Sequence, residues 1–191
     1  MELVFFEPVH VTTIAGVMGT GKTSLALALV GAFEADTAVV LWPENIEYIR
    51  ELRGRRLAVV LDDITYSFSR VDKRLQYIAR IRHLARAETY LIVNIIHYIR
   101  GAPVFFRISH SQVATSCLNK KDSEVLGEFF NYAGDYCRVY RSRFRERPVL
   151  INWLGQEFLD FVDFSRNPGL YKLYLKGLEV AEFQGPERPG P

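Results

Sequence analysis

The residues GVMGTGKT at positions 16–23 have the types and the spacing of a phosphate-binding loop, GxxxxGK[ST]. Glycines within such a loop allow the backbone to bend until several N–H groups point at one anion. Lys22 would reach the β- and γ-phosphates of a nucleoside triphosphate, and the Thr23 hydroxyl would bind Mg²⁺. The predicted nucleotide-binding residues are Gly16, Val17, Met18, Gly19, Thr20, Gly21, Lys22, Thr23 and Ser24.

Two adjacent carboxylates form the second candidate motif, since Asp62 and Asp63 directly follow the apolar run LAVVL. A carboxylate at the carboxyl end of a strand in the same sheet can hold the Mg²⁺ that Thr23 also contacts, and Asp62 is the candidate for that role. Asp63 would polarise an attacking water as a general base. The alternative for Asp63 is a turn or helix cap, because Asp is favoured after strands.

These motifs require a sheet whose strands end at one edge, and the apolar pattern predicts one. Runs of β-branched and aliphatic residues predict strands at 9–15, 37–42, 57–61 and 89–96. The segments between them predict helices at 22–33, 44–53 and 70–86. Continuous apolar strands alternating with helices indicate a parallel sheet covered on both faces, and therefore an α/β domain.

The strand predicted at 89–96 is expected between the strand before the phosphate loop and the strand before Asp62. That position would place a polar side chain at its end beside the γ-phosphate. Asn94 and His97 are the two candidates, and the sequence does not choose between them. A hydrogen-bonded structural histidine is the alternative interpretation of His97.

The remainder of the chain has weaker patterns. A helix is predicted at 122–144, and two paired strands are predicted at 148–154 and 157–164. Residues 165–183 fit either helix or strand, and the Pro- and Gly-rich residues 184–191 are expected to be disordered. Without a linker or internal repeat, residues 1–183 are predicted to form a single domain. Cys117 and Cys137 make no metal-binding motif and are expected to be free buried thiols.

The composition bounds the class of protein. The chain has 191 residues, a hydrophobic fraction of 49% and a formal net charge of +2, which excludes wholesale disorder. Its longest uncharged apolar runs, 23–33 and 89–99, are far shorter than the roughly 18–20 residues that span a bilayer. Glu2 and Glu7 near the start are unlike a secretory leader. We therefore expect a cytoplasmic protein that does not enter a membrane.

Two basic segments suggest a polyanionic partner. Residues 70–86 are rich in Arg and Lys with Asp72 as their sole acidic residue, and residues 138–147 are similarly rich in Arg. Aromatic residues are interleaved in both, which suits a nucleic-acid backbone. The alternative is a solvated face. In a helical projection of 70–86, Arg82 falls within the apolar arc, so it is expected to be at least half buried and to need a partner.

Residues 61–111, together with the phosphate loop, resemble the FtsK/HerA-type motor ATPases, and especially their viral genome-packaging branch. That branch has an Asp-Asp pair after the metal-binding strand and a helix that ends in Arg-His. A strand with a polar end follows, and then a Pro and an Arg. The matching residues are Asp62 and Asp63, Arg82 and His83, Asn94 to His97, Pro103 and Arg107.

The resemblance implies a P-loop NTPase with three α/β/α layers and a mainly parallel central sheet of the additional-strand, RecA-like type. It leaves open an antiparallel pairing of the C-terminal strands. It further implies ATP and Mg²⁺ as cofactors, and a homo-oligomeric ring, hexameric or pentameric, that moves double-stranded DNA. Arginine fingers in such rings come from the neighbouring subunit, and Arg82 and Arg107 are the candidates. Capsid or portal proteins would be further partners, in the host cytoplasm.

Two other classes of function remain open from the sequence. A P-loop kinase for a nucleotide or other small molecule would use the arginines at 138–147 as a lid. A non-catalytic ATP-binding regulatory protein would bind nucleotide without turnover. DNA-stimulated hydrolysis of ATP distinguishes the motor from both.

Overall fold

The computed structural model describes residues 3–64, 71–161, 171–175 and 178–183. Side chains at 43–45, 51, 71–75, 171–175 and 178–183 are outside this description. The strands are β1 (Val9–Ala15), β2 (Thr37–Leu41), β3 (Arg56–Leu61), β4 (Thr89–Ile96), β5 (Ser111–Ala114), β6 (Pro148–Trp153), β7 (Gln156–Phe161), β8 (Tyr171–Leu175) and β9 (Leu178–Phe183).

Five α-helices lie within the described residues. They are α1 (Lys22–Ala32), α2 (Val71–Leu84), α3 (Pro103–Arg107), α4 (Lys120–Gly127) and α5 (Ala133–Arg143). Three 3₁₀ segments accompany them at Pro43–Glu51, Ile99–Gly101 and Phe144–Glu146. The first replaces the α-helix that the sequence predicts at 44–53, and the predicted helix at 122–144 is divided into α4 and α5.

The described strands form a single sheet in the order β7-β6-β5-β1-β4-β3-β2-β8-β9. The pairs from β5 to β8 are parallel, so the phosphate loop and Asp62 follow strands that run in the same direction. The predicted position of β4 between β1 and β3 is confirmed. The antiparallel pairing of β6 with β7 is also confirmed, and β8 with β9 forms a second antiparallel pair at the opposite end.

Successive strand residues point to opposite sides of the sheet, so the apolar strands give each face apolar side chains, and helices cover both faces. On one face, α1 packs through Ala26, Leu29, Val30 and Phe33. On the other face, the remaining helices contribute a larger core that includes Tyr77, Ile81, Phe105, Phe106, Leu126 and Tyr136. The mainly parallel sheet between two helical layers confirms the α/β/α architecture predicted from the sequence.

The apolar face predicted for residues 70–86 (Val71, Leu75, Ile78, Ala79 and Ala85) is confirmed in part. Ile78 packs against the core and Ala85 is buried, whereas Ala79 is exposed and side chains 71–75 lie outside the description. Among the described side chains of α2, Tyr77, Ile81 and Leu84 are buried, at intervals of four and three residues. Arg82 lies on a different side of the helix and is exposed, so it is not the buried cation that the projection indicates. The predicted face leaves out Tyr77 and Ile81, and these two side chains mark the side of α2 that packs on the sheet. Arg70 and the predicted tail 184–191 lie outside the described residues.

The prediction of two free thiols is also wrong, because Cys117 and Cys137 form a disulfide. Cys117 lies in the loop after β5, and Cys137 lies in α5, which packs on β6. Since β5 and β6 are neighbours in the sheet, the fold brings together two cysteines that are 20 residues apart in sequence. That proximity depends on tertiary packing and is absent from the local pattern.

None of the helices in the described parts of the chain combines the length and the hydrophobicity of a membrane-spanning segment.

Candidate nucleotide-binding and hydrolysis site

The phosphate loop lies between the carboxyl end of β1 and the first turn of α1. Gly21 precedes α1 with a φ of 82°, in the left-handed region that favours glycine. At Gly16 the reason for glycine is steric, since a Cβ there would lie 2.1 Å from Thr115 Oγ1. The loop therefore presents the N-terminus of an eleven-residue helix toward an anion, as the motif predicts.

Lys22 is buried although it is charged, and its ammonium group turns back into the loop. Its Nζ donates to the carbonyl oxygen of Val17 at 2.7 Å. Burial lowers the pKa of Lys22, and the negative charges of Asp62 and Asp63 partly offset that effect. Both carboxylates are thus near enough to Lys22 to raise its pKa. The two sequence motifs require this proximity.

The two carboxylates follow β3 directly and lie half buried at its carboxyl end. The N–H of Asp62 donates to the carbonyl oxygen of Leu41 at 2.8 Å, which fixes the backbone at this point. Asp63 has a φ of 53°, in the left-handed region that Asp adopts more readily than most residues, and it lies in a turn. The geometry is therefore compatible with the turn alternative for Asp63 as well as with the general-base hypothesis.

The donor set at this edge fits a magnesium ion. Asp62 Oδ1 and Asp63 Oδ1 are both buried, and neither accepts a hydrogen bond within the part of the chain that the structure describes. A buried carboxylate oxygen without a donor is costly unless a cation or water satisfies it. Mg²⁺ is commonly held by one or two carboxylates together with phosphate oxygens and water. Asp62, with the exposed Thr23 hydroxyl, would therefore hold the ion beside a bound nucleotide.

His97 is the candidate at the end of β4 that lies beside the carboxylates. Its Nε2 is 3.4 Å from Asp62 Oδ1, and its side chain is half buried. Its Nδ1 is buried without a hydrogen-bond partner among the described residues. With one nitrogen next to Asp62, the candidate metal ligand, and the other nitrogen unsatisfied, His97 would be well placed to contact a ligand at this edge.

Asn94 occupies a different environment, inside the sheet. It pairs in register with Thr13 of β1 and with Leu61, the last residue of β3, two residues before the end of β4 itself. Its Oδ1 accepts from the Tyr77 hydroxyl at 2.9 Å, and its Nδ2 donates to Thr13 Oγ1 at 3.2 Å. Burial raises the pKa of Tyr77, so its hydroxyl remains a donor. Because both ends of the Asn94 amide are engaged, His97 is the better candidate of the two for a residue that would contact the γ-phosphate.

Within the described residues, neither candidate arginine finger makes a hydrogen bond or ion pair to the phosphate loop. Arg82 is in the last turn of α2, which leads toward the amino end of β4. Arg107 ends α3, is exposed, and pairs with Glu128 at 3.3 Å. Their role as arginine fingers stays a prediction.

Two residues that contact the phosphate loop carry no sequence motif and were not predicted from the sequence. Thr115 and Ser116 follow β5 and hydrogen bond to the loop. Hydroxyl residues directly after a short strand are a weak signal, which becomes informative only once β5 is known to lie beside β1.

The basic residues at 138–147 lie in α5 and the following 3₁₀ turn, and α5 packs on β6. Arg138 pairs with Asp135, and Arg143 pairs with Glu146. The kinase alternative would need these arginines in a loop that covers the nucleotide. Their position in a packed, disulfide-linked helix does not support that alternative.

No family model matches the chain, and no curated protein matches it in sequence. Solved structures do match it. One is the genome-packaging NTPase B204 of Sulfolobus turreted icosahedral virus 2 in complex with ATP-gammaS, with a TM-score of 0.54 and 9% identity. The same protein in complex with AMPPCP gives a TM-score of 0.53 and 9% identity. The DNA-packaging ATPase B204 of Sulfolobus turreted icosahedral virus gives 0.56 and 8% identity.

Each of these three comparisons covers 83% of this chain and 98% of the other. At such low identity the similarity establishes the fold. The chain therefore shares its fold with these genome-packaging NTPases, as the resemblance in its sequence predicts.

Proposed function

We propose that this protein hydrolyses ATP and couples hydrolysis to the movement of double-stranded DNA, in the packaging of a viral genome. The observation that carries the proposal is the proximity of Lys22 to Asp62 and Asp63. The phosphate loop follows β1 and the carboxylates follow β3, so the two motifs lie at the same edge of one parallel sheet. The fold shared with packaging NTPases in complex with ATP analogues supports the same function.

The reaction follows from the positions of these side chains. Loop N–H groups and the α1 N-terminus would bind the β- and γ-phosphates, and Lys22 would leave Val17 to pair with them. Mg²⁺, held by Thr23 and Asp62, would neutralise charge that develops on the phosphates. Asp63, with an unsatisfied oxygen at the same edge, would take a proton from the attacking water. His97, which lies next to Asp62, would contact the γ-phosphate when it is present.

A basic cleft supports contact with a phosphate backbone. It has a volume of about 440 Å³ and is lined by Arg50, Arg53, His83, Leu84 and Arg86. Arg53 donates to backbone carbonyl oxygens, and no ion pair to Arg53 or Arg86 is found within the described residues. In contrast, Arg138 of α5 is paired with Asp135 of the same helix, and Arg143 is paired with Glu146 of the following 3₁₀ turn. The cleft is therefore the better-supported DNA contact of the two basic segments.

Exposed apolar side chains near the nucleotide site support a ring of subunits. Met18, Trp42, Tyr98 and Leu118 follow β1, β2, β4 and β5 respectively, and all four are exposed. Apolar groups gathered at one edge are typical of a surface that another protein covers. A neighbouring copy at this edge would bring an arginine finger, Arg82 or Arg107, to the γ-phosphate. The proposed assembly is a hexameric or pentameric ring that works with capsid or portal proteins in the host cytoplasm.

The experiment measures phosphate release from ATP with and without duplex DNA. It also measures the mass of the particle that forms in the presence of a non-hydrolysable ATP analogue. We expect stimulation by DNA and a ring-sized particle. Arg86→Glu should weaken the stimulation and reduce its salt dependence, since it removes a phosphate contact. Arg138→Glu is the matched control, because Arg138 already pairs with Asp135. Transfer of phosphate to a nucleotide, or absence of turnover, would contradict the proposal.

A further inference from the structure

The carboxyl end of β5 is attached to the phosphate loop by two side-chain hydrogen bonds. Thr115 Oγ1 and Thr20 Oγ1 are 2.7 Å apart, and the N–H of Val17 donates to Ser116 Oγ at 3.0 Å. Thr115 and Ser116 are 3% and 0% exposed, so water does not compete for these bonds. Both contacts span about a hundred residues of sequence and join two adjacent strands.

Val17 is the centre of the loop's hydrogen bonding. Its N–H is held by Ser116, while its carbonyl oxygen accepts from Thr20 Oγ1 at 2.9 Å and from Lys22 Nζ at 2.7 Å. When Lys22 turns toward a triphosphate, its bond to Val17 is lost. The bonds from Thr115 and Ser116 do not involve the lysine, so they can persist and keep the loop in place.

We propose that Thr115 and Ser116 are positioning residues that hold the phosphate loop in a conformation ready to bind a nucleoside triphosphate. This inference rests on the proposed function and adds two residues to its site. A loop that is already ordered loses less entropy when it binds a ligand. The two hydroxyls therefore contribute to nucleotide affinity without touching the reacting atoms.

The segment that carries these hydroxyls is itself fixed on its far side. Cys117 directly follows Ser116 and is bonded to Cys137 of α5. The N–H of Leu118 donates to Asp122 Oδ2 at 2.9 Å, and Asp122 is buried. Positioning groups are effective when their own supports are rigid, and here a covalent bond and a buried carboxylate provide that support.

The test uses Thr115→Val, which keeps the side-chain shape and removes the hydroxyl, beside Thr115→Ser, which restores it. Thr115→Val would let the free loop leave its binding-ready conformation. Ordering it again would cost up to the roughly 1 kcal/mol of the lost hydrogen bond, which corresponds to up to about a fivefold increase in the Kd for a fluorescent ATP analogue. We expect that increase in Thr115→Val, with kcat within about twofold of the wild type. Thr115→Ser should bind as the wild type does. Equal affinity of all three proteins would overturn the role of Thr115.

Ser116→Ala provides a readout that needs no nucleotide. Hydrogen exchange of the Val17 amide should become about fivefold faster, because its acceptor is lost. The Gly16 amide, which donates to the Ile96 carbonyl oxygen, should exchange at the wild-type rate. An unchanged Val17 rate would refute the positioning role of Ser116. If the wild type binds no ATP, the proposed function fails, and the exchange of the Val17 amide alone then decides whether Ser116 orders the loop.

Discussion

His10 makes the stability of this fold depend on pH. It is fully buried at the start of β1, where its Nδ1 accepts from the Phe6 N–H at 2.9 Å and its Nε2 lies 3.1 Å from Ser111 Oγ. Its ring stacks on Trp153, with the His110 ring nearby. A protonated His10 would carry a hydrogen on Nδ1 and could no longer accept from Phe6. The folded state therefore favours neutral His10.

The size of the effect follows from the pKa. Burial, and to a lesser degree the charge on His110, lowers the pKa of His10 from 6.5 to about 4. The unfolded chain takes up a proton near pH 6.5 and the folded chain only near pH 4. The stabilisation is thus complete above about pH 6.5 and is lost as the pH falls toward 4. Its full size is about 3 kcal/mol, at 1.36 kcal/mol for each pKa unit.

The assay is urea unfolding between pH 7.5 and pH 4, in the wild type and in His10→Asn. Asn keeps an acceptor for Phe6 and does not titrate. The free energy of unfolding of the wild type should fall more steeply than that of the variant between pH 6.5 and 4, by up to about 3 kcal/mol in total. Comparing the two proteins cancels the carboxylates that both contain. His83→Asn, at an exposed histidine, is the control and should keep the wild-type slope.

Parallel pH profiles for wild type and His10→Asn would refute the reasoning, because they would show that His10 binds protons equally in the folded and unfolded states. A wild-type protein that gains stability as the pH falls would contradict the sign.

Three further substitutions test the site and its supports. Gly16→Ala should lower ATP affinity by about tenfold or more, because its Cβ would lie 2.1 Å from Thr115 Oγ1 and the loop must shift. Tyr77→Phe should lower the free energy of unfolding by about 1–3 kcal/mol in urea, since it leaves the buried Asn94 Oδ1 unpaired. Cys137→Ser should lower it by about 3 kcal/mol under oxidising conditions, because it opens a loop that spans 20 residues.

Each of these substitutions has a control. Gly134→Ala places a Cβ in open space and should leave ATP affinity unchanged, so an equal loss in both glycine variants would contradict the steric argument. Tyr132→Phe removes a hydroxyl from a side chain that is 54% exposed and should have little effect on stability. Reductant should destabilise the wild type and leave Cys137→Ser unaffected, and the opposite result would mean that the disulfide is not formed in solution.

The buried parallel strands are the part of the fold that the sequence predicts best. The bounds of β1 and β4 match the predicted 9–15 and 89–96. Long apolar runs rich in β-branched residues are typical of strands that are buried on both faces of a sheet. The short elements α3 and β5 were not predicted, since five and four residues show no usable period. Their structure depends on packing against β1, which lies far away in sequence.

The residues of the candidate site also fall into those that a local pattern predicts and those that only the fold brings together. Lys22, Asp62 and Asp63 could be identified from the sequence because their chemistry depends on local spacing after apolar strands. Thr115 and Ser116 could not, since their role arises from the sheet order that places β5 beside β1. The disulfide shows the same limit, because two isolated cysteines give no indication that the fold joins them.

The choice between Asn94 and His97 needed the strand register. The sequence shows where an apolar run stops, but it does not show that β4 continues past the level of Leu61 by two residues. That extension buries Asn94 within the sheet and places His97 beside Asp62.

The most direct test of the central claim is the effect of Asp63→Asn on the binding and the hydrolysis of ATP, measured side by side with Mg²⁺ and duplex DNA. Asn keeps the size of the side chain and removes its ability to accept a proton. We predict that the variant binds ATP within about threefold of the wild type and hydrolyses it about 10²–10⁴ times more slowly. Hydrolysis at the wild-type rate would contradict the assignment of Asp63, and a wild-type protein that fails to bind ATP would contradict the entire site.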